Sequence, residues 1–304
     1  MTWTTSDIPD LHGKTAAVTG PTRGGLGYHT ALELARRGAQ VVLAGRSWTK
    51  LDDAEAGIRD EVPQAQLEKV TLDLSDFASV RAAAAAIADI APLDVLVNNA
   101  GVMAIPPSRT KDGLDLQLAT NHFGPFLLTG LLLPCLVESG AGRVVTVSST
   151  MHRAAVTPPL GHPEVPAKNY RSWQVYGQTK LANLLFTYEL DRRLRAAGLP
   201  VKALAAHPGY ANTHLIMNGR SMGRLSSIAA AATRAIGQPP AHGAWPTLMA
   251  ATADLPGGMF TGPNRVLGLA GPPHIAESSA LSHDESVQRA LWEISERTTG
   301  LTYP

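Results

Sequence analysis

The sequence contains a single cysteine among its 304 residues, so no disulfide can form within the chain. Cys135 lies in the apolar run LLLPCLVE, which predicts a buried and unreactive thiol. Lysine and arginine together number 26 against 25 aspartate and glutamate residues, and no block of one sign stands out. Because this balance provides no basic stripe for a phosphate backbone, we predict no nucleic-acid partner.

Long uninterrupted apolar runs are also lacking. The first residues, MTWTTSDIPDLHGK, contain no basic segment followed by an apolar stretch, so we expect no secretory signal and a cytoplasmic protein. Polar residues, Gly124 and two prolines interrupt the most apolar stretch, 114–137, which favours a kinked, buried helix over a membrane span. The histidines show no HExxH or similar short spacing, so we predict no metal site.

Short β-branched runs alternate with longer segments rich in alanine, leucine and charge, which is the pattern of βαβ units in a parallel sheet. The candidate strands are TAAVT, QVVLA, KVTLD, DVLVN, RVVTV and VKALAA, with a last strand near MFTG and RVLGL. No repeat or linker divides the chain. We therefore predict one domain over 1–304 with a doubly wound, mostly parallel, seven-stranded α/β fold of the Rossmann type and helices on both faces.

Two proline-bearing insertions, about 152–169 and 214–240, are predicted to be loops over a site. The second carries apolar residues that suggest a lid over a pocket for a lipophilic substrate; packing on the core or on a second subunit is the alternative. These residues are Leu215, Ile216, Met217, Met222, Leu225 and Ile228.

The glycine-rich segment TGPTRGGLG, residues 19–27, stands between the first strand and a helix that begins near Leu26. Glycines in that position let the backbone turn tightly and approach a pyrophosphate, whose charge meets the N–H groups of the helix N-terminus. A turn that only joins a strand to a helix is the alternative. The predicted cofactor contacts here are Gly20, Arg23, Gly25, Leu26 and Gly27.

The second strand ends at Ala44-Gly45-Arg46, without the carboxylate that an NAD-preferring site carries there. The guanidinium of Arg46 can pair with a 2′-phosphate, so the sequence favours NADP(H) over NAD(H). Arg23 could add a second contact. For each arginine, a solvated surface charge is the alternative.

Tyr176 and Lys180 stand one helical turn apart at the start of a helical stretch, so the phenol and the ammonium share one face. A free tyrosine has a pKa of about 10, and a nearby ammonium favours its phenolate, which makes proton exchange practicable. Ser149 ends the strand RVVTVSS at the carboxyl edge of the sheet, where its hydroxyl can bond a reacting oxygen. We predict that Ser149, Tyr176 and Lys180 are catalytic, with support from Asn121.

These motifs, in this order, resemble those of the short-chain dehydrogenase/reductase family over about 14–270. Within the family, LAGRS, SSTMH, the 152–169 insertion and YGQTKLANLLFTYEL look most like the branch of retinol dehydrogenases and protochlorophyllide reductases. The motifs that carry the resemblance are the glycine loop, Asp73, Asn98-Asn99-Ala100-Gly101, Asn121, Ser148-Ser149, Tyr176 with Lys180, and Pro208-Gly209 with Thr213.

The resemblance implies a division of labour. Tyr176 would be the general acid or base, and Lys180 would lower the pKa of Tyr176 and bind the nicotinamide ribose. Ser149 would orient the substrate, and Asn121 would hold a water in a proton relay. The implied cofactor contacts are Asp73 and Leu74 at the adenine, Asn99, Ala100 and Gly101 at the ribose, and Pro208, Gly209 and Thr213 at the nicotinamide end.

One departure from the family pattern lies in the glycine loop, which has four residues between Gly20 and Gly25 where the family has three. We interpret Gly24 as the inserted residue. His152 follows Ser149 closely and could face substrate, although a structural role is the commoner one for a histidine. Tyr170 has no lysine four residues on, so we expect it to pack.

Together these features predict an NADP(H)-dependent oxidoreductase that interconverts a carbonyl and an alcohol on a small, lipophilic substrate. A catalytically silent protein that senses NADP(H) is the alternative. Relatives are frequently dimers or tetramers built on helices corresponding to 114–137 and 174–197, so a homodimer or a homotetramer is expected.

Overall fold

The computed structural model describes residues 2–161, 170–210 and 238–304 and contains one sheet. Its strands are β1 (Thr15–Thr19), β2 (Gln40–Gly45), β3 (Leu67–Thr71), β4 (Val95–Asn98), β5 (Gly142–Val147), β6 (Val201–Ala206), β7 (Phe260–Arg265) and β8 (Ala270–Ile275). They lie in the order β3-β2-β1-β4-β5-β6-β7-β8. All neighbours are parallel except β7 and β8. The strand order reverses between β1 and β4, which opens a crevice at their carboxyl ends.

Helices cover both faces of this sheet, which confirms the predicted fold. The main helices are α1 (Leu26–Arg36), α2 (Trp48–Glu61), α3 (Phe77–Ala88), α4 (Leu116–Glu138), α5 (Ser172–Ala196), α6 (Trp245–Thr252) and α7 (Glu285–Thr299). Along β1 the side chains of Ala16 and Val18 join the core under α1, α2 and α6, whereas Ala17 joins the core under α3, α4, α5 and α7. This alternation is why both faces of the strand are apolar.

The described residues form eight strands where the sequence predicted seven. The predicted last strand near RVLGL is wrong in part, because Val266–Gly268 forms a turn in which Val266 and Leu267 have left-handed φ values of 53° and 56°. The chain then returns as β8, antiparallel to β7. Its sequence AGPPHI concealed a strand because proline lacks an N–H donor, yet the sheet edge tolerates it.

Local signals place the helix starts well. Asp76 caps α3, because its carboxylate accepts hydrogen bonds from the backbone N–H groups of Ala78 and Ser79 at 3.0 and 3.3 Å. The π-helical segment Ala119–Phe123 lies inside α4 and carries Asn121.

Within the described residues, α4 is long and apolar enough to cross a membrane, but 67% of its most apolar window is buried inside the protein. Cys135, on the same helix, is half-buried, and burial raises the pKa of its thiol.

The C-terminal segment covers the outer side of α4 and α5. Trp292 of α7 is 2% exposed and stacks on Phe186 with ring centroids 5.9 Å apart. The Tyr303 hydroxyl donates to the Phe126 carbonyl at 2.9 Å, and a Cβ at Gly130 would lie 2.5 Å from the Tyr303 ring. The helices predicted to form subunit contacts are therefore partly occupied by the chain itself, and the oligomeric state stays a prediction.

Parts of the predicted site lie outside the described residues. They include residues 162–169 of the first insertion, residues 214–237 of the second with all of its named apolar residues, and Thr213. That the whole chain forms one domain also stays a prediction.

Candidate active site

The loop between β1 and α1 lines the crevice with backbone. Gly20 has a left-handed φ of 68°, and a Cβ there would lie 2.9 Å from the Cβ of Ala100. A Cβ at Gly27 would lie 2.4 Å from Asn99 Nδ2 and 2.9 Å from the Gly20 carbonyl oxygen. Only glycine fits either position, so the loop can pack closely on Ala100 and Asn99 and bring its backbone to the N-terminus of α1.

The inserted residue of this loop is absorbed by a tight turn. The N–H of Gly25 donates to the Thr22 carbonyl at 2.8 Å, and Gly24 has a left-handed φ of 73°. This is the conformation that a glycine adopts without strain. Gly25 then caps α1, and Leu26 is its first residue. The Thr22–Gly25 turn therefore accommodates the extra residue, and Gly27 still packs against the Gly20 carbonyl.

Asn99 ties the end of β4 to the end of β1. Its side-chain Nδ2 donates to the Thr19 carbonyl at 2.8 Å. The backbone N–H groups of Asn99 and Ala100 both donate to Thr19 Oγ1, at 3.0 and 2.9 Å. Sequence reasoning missed Thr19, whose one signal was its position directly before the first glycine. These bonds fix the floor of the crevice.

The two arginines predicted at the adenosine end differ in their surroundings. Arg23 lies against α2, where its guanidinium pairs with Asp53 at 3.1 Å and with Asp60 at 3.6 Å. The side chain of Arg46 is 75% exposed, and its only described ion pair is a loose one with Asp73 at 3.9 Å. Arg46 is thus free to turn toward a ligand, whereas Arg23 is held by carboxylates. A contact of Arg23 with the cofactor stays a prediction.

Asp73 and Leu74 follow β3 on the same side of the crevice. Asp73 Oδ1 accepts hydrogen bonds from the N–H and the hydroxyl of Ser75, at 2.9 and 2.6 Å, which fixes the carboxylate in a turn. Leu74 is buried, and a Cβ at Gly124 would lie 2.2 Å from its carbonyl oxygen. This close approach places the start of the apolar part of α4 directly behind the β3 loop.

Tyr176 and Lys180 share one face of α5 and meet the carboxyl end of β5. The Lys180 Nζ lies 5.7 Å from the centre of the Tyr176 ring and donates to the Val147 carbonyl at 3.0 Å. Ser149, two residues beyond β5, accepts the Met151 N–H with its hydroxyl at 3.2 Å, and this hydroxyl lies near enough to Tyr176 to lower the pKa of the phenol. Its neighbour Ser148 instead donates to the Lys180 carbonyl at 2.8 Å. Three of the four predicted catalytic residues therefore converge at one strand end.

Burial controls the protonation of this pair. It raises the pKa of Tyr176 to about 12, against which the Ser149 hydroxyl acts in the opposite direction. It lowers the pKa of Lys180 to about 8. The expected lowering of the Tyr176 pKa beside Lys180 is not found, because removing a phenolate from water disfavours its charge. Near pH 7 the site therefore holds a neutral phenol beside a mostly protonated amine.

Asn121 connects the β4 loop to the catalytic helix. Its Oδ1 accepts from the Val102 N–H at 2.8 Å, and its Nδ2 donates to the Val102 carbonyl at 2.9 Å and to Thr179 Oγ1 at 3.0 Å. A Cβ at Gly101 would lie 3.0 Å from Asn121 Oδ1 and 3.7 Å from Lys180 Nζ. The side chain of Asn121 thus holds the site together, and the water relay stays a prediction.

Pro208 and Gly209 follow β6 at the same edge of the sheet. Gly209 has a left-handed φ of 65°, and its N–H donates to His207 Nδ1 at 3.3 Å. The Pro208 carbonyl accepts from Gln238 Nε2 at 2.8 Å. Burial lowers the pKa of His207 to about 3, so its ring stays neutral and serves as an acceptor for this turn.

Two further aromatic residues have polar partners. His152 is buried, and both of its ring nitrogens are hydrogen-bonded, to the Ser149 carbonyl at 2.6 Å and to the Ser279 N–H at 3.1 Å. The Tyr170 hydroxyl accepts from Gln117 Nε2 at 2.8 Å, so it does more than pack. In the described ranges, no three metal-binding side chains lie together.

Comparison with known proteins gives consistent relatives. The short chain dehydrogenase family model matches residues 14–161. Human Retinol dehydrogenase 13 is 39% identical over 97% of this chain and 87% of its own length. Human Dehydrogenase/reductase SDR family member 13 is 38% identical over 96% of this chain and 74% of its own length.

Two solved structures are similar along most of their length. A protein from Mycobacterium Paratuberculosis is 41% identical with a TM-score of 0.82, and the match covers 100% of both chains. A protein from Beutenbergia cavernae, named as an NAD(P) dependent gluconate 5-dehydrogenase and solved with bound NADP, is 26% identical with a TM-score of 0.61. That match covers 80% of this chain and 91% of the other.

The glycine cradle generates a direct prediction. Gly27→Ala places a methyl group against Asn99 and the Gly20 carbonyl, which must shift the loop or break the Asn99 bond. Overpacking and a lost hydrogen bond each cost about 1 kcal/mol or more, so NADPH affinity should fall at least about tenfold. Fluorescence titration measures it. Gly161→Ala, which meets nothing within 4 Å, is the control; equal affinities for the two variants would contradict the assignment.

Proposed function

This chain belongs to the short-chain dehydrogenase/reductase family, in its retinol dehydrogenase-like branch, and on that premise we propose a specific activity for it. It is an NADP(H)-dependent oxidoreductase that interconverts a carbonyl and an alcohol. The observation that carries this proposal is the convergence of Ser149, Tyr176 and Lys180 at the end of β5. Proton transfer is the role of Tyr176.

The protonation of the site suits carbonyl reduction near neutral pH. The buried phenol of Tyr176 carries its proton and can donate it to a carbonyl oxygen that becomes a hydroxyl. Ser149 donates a hydrogen bond to the same oxygen, and the Lys180 ammonium stabilises the phenolate that remains. The nicotinamide, when bound, supplies the hydride for reduction or accepts it in the oxidation of an alcohol.

The loop between β1 and α1 fits a pyrophosphate because Gly25 caps α1, and the free N–H groups at a helix N-terminus bind an anion. Gly20, Gly25, Leu26 and Gly27 would hold the pyrophosphate, and Arg46 the 2′-phosphate. The other proposed cofactor contacts are Arg23 at the adenosine end and, along the carboxyl edge of the sheet, Asp73, Leu74, Asn99, Ala100, Gly101, Tyr176, Lys180, Pro208, Gly209 and Thr213. An exposed guanidinium without a strong carboxylate partner supports NADP(H) over NAD(H).

We propose that the substrate is a small lipophilic carbonyl compound or alcohol. The relatives named as retinol dehydrogenases act on retinol, an apolar alcohol, which supports this class. We also propose a cytoplasmic protein without a membrane span, since α4 packs largely inside the fold. A homodimer or homotetramer through α4 and α5 would have to accommodate α7, which already packs on them.

Replacement of the proton donor tests the activity itself. Tyr176→Phe removes only the hydroxyl, so kcat for carbonyl reduction should fall about 10²- to 10⁴-fold, the usual contribution of general acid catalysis. NADPH affinity should change by less than about threefold, because the ring remains in place. Tyr188→Phe, on the same helix with its hydroxyl on Ser278, is the matched control.

Unchanged turnover by Tyr176→Phe would contradict the assigned chemistry. If the wild-type protein bound NADPH tightly but reduced no member of a broad carbonyl panel, the silent NADP(H) sensor would be the better description.

The cofactor preference depends on Arg46. Arg46→Ala should raise KM for NADPH about tenfold or more, since charge-assisted hydrogen bonds contribute about 1.5–3 kcal/mol, and should leave KM for NADH nearly unchanged. Steady-state kinetics with both cofactors measures this ratio. Arg23→Ala is expected to have a smaller effect, because Asp53 and Asp60 already hold that guanidinium. A ratio that does not move in Arg46→Ala would rule out this role.

A further inference from the structure

His152 folds back onto the residue that carries the catalytic hydroxyl. Ser149 opens the turn Thr150–Ala154, and its carbonyl accepts two N–H groups of the same residue. These are the backbone N–H of His152 at 3.0 Å and its ring Nδ1 at 2.6 Å. The Ser149 carbonyl is therefore held by the His152 ring as well as by the backbone hydrogen bond of the turn.

The opposite edge of the ring is anchored far along the chain. His152 Nε2 accepts the backbone N–H of Ser279 at 3.1 Å. Since a carbonyl can only accept and an amide N–H can only donate, the ring must be neutral with its proton on Nδ1. Burial lowers the pKa of His152, as does the charge of Arg153, while the bond to Ser149 acts in the opposite direction. The Phe260 ring packs edge-on at 5.6 Å.

The anchor itself is well fixed. The Ser279 carbonyl accepts from the N–H of Ser282 at 3.0 Å and from its hydroxyl at 2.6 Å. Ser282 is fully buried, and its carbonyl accepts from Gln288 Nε2 of α7 at 2.9 Å. Arg153, next to His152, donates to the Glu277 carbonyl at 2.5 Å. Two bonds therefore join the Ser149 turn to a segment that is braced by the C-terminal helix.

We propose that His152 is a positioning residue for the reaction proposed above, on which this inference rests: it bridges Ser149 to Ser279 and so holds the Ser149 hydroxyl at Tyr176. It does not touch the substrate, because both ring nitrogens are already bonded. Among the described residues, the Ser149 hydroxyl is the group that lowers the pKa of Tyr176. Loss of the bridge should therefore weaken proton transfer without removing any group that takes part in it.

The first test reads the ring directly in the protein without cofactor. Nitrogen-15 NMR of the histidine rings, assigned with His152→Phe, should show His152 as the neutral Nδ1–H tautomer at pH 7. A His152 ring that is doubly protonated at that pH, or one that carries its proton on Nε2 alone, would overturn the proposal.

The second test is a double-mutant cycle. His152→Phe keeps the ring volume and removes both nitrogens, and kcat should fall about 10- to 100-fold, as for a displaced catalytic group, with KM for NADPH unchanged. The apparent pKa for alcohol oxidation should move upward. In a Ser149→Ala background the same change should have little further effect, because its route through Ser149 is already lost. An equal loss in both backgrounds would indicate a purely structural role and overturn the proposal.

Two substitutions at Ser279 test the same bridge without changing His152, so the test does not depend on the folding of the histidine variant. Ser279 has a φ of −68°, which suits proline, so Ser279→Pro removes the N–H donor without a φ conflict. Ser279→Ala keeps the N–H and removes a buried hydroxyl for which the described residues provide no partner. Only the proline variant should reduce kcat, and equal activities of the two would count against the bridge. Full activity of Ser149→Ala would instead contradict the proposed function itself.

Discussion

Burial of Tyr176 beside Lys180 is the constraint on which the rest of the site depends. Removing both groups from water disfavours their charged forms, which raises one pKa to about 12 and lowers the other to about 8. A phenol in this state is a proton donor near neutral pH. The surrounding polar groups act on the two side chains and on the helix that carries them. The Val147 carbonyl accepts from the amine, the Ser149 hydroxyl lowers the pKa of the phenol, and Ser148 ties α5 to β5.

The same sheet edge organises the cofactor crevice by a different means. There the structure depends on two glycines. Because Gly20 and Gly27 have no side chain, the loop can approach Ala100 and Asn99 closely. The additional residue in the loop changes little, because Gly24 adopts a left-handed turn that directs the excess length away from these contacts. The exposed Arg46 then gives the adenosine end its positive charge.

Sequence reasoning worked where a signal is local. The alternation of β-branched and helical segments predicted seven of the eight described strands and both helical layers. It failed where the outcome depends on distant residues. The edge strand β8 is concealed by prolines that only an edge tolerates, and the direction of the Tyr176 pKa shift depends on burial that no spacing reveals. The hydrogen-bond partner of His152 Nε2 is likewise remote in the sequence, because Ser279 follows β8.

The pH dependence of the two directions in the wild-type enzyme tests the central claim most directly. Carbonyl reduction should be level from pH 6 to about 8 and then fall as Lys180 loses its proton, because its pKa is about 8. Alcohol oxidation should rise with pH throughout, because it needs the phenolate of a tyrosine whose pKa lies near 12. A reduction rate that increases through pH 7, or an oxidation rate that is already level there, would contradict a neutral, buried Tyr176 as the proton donor.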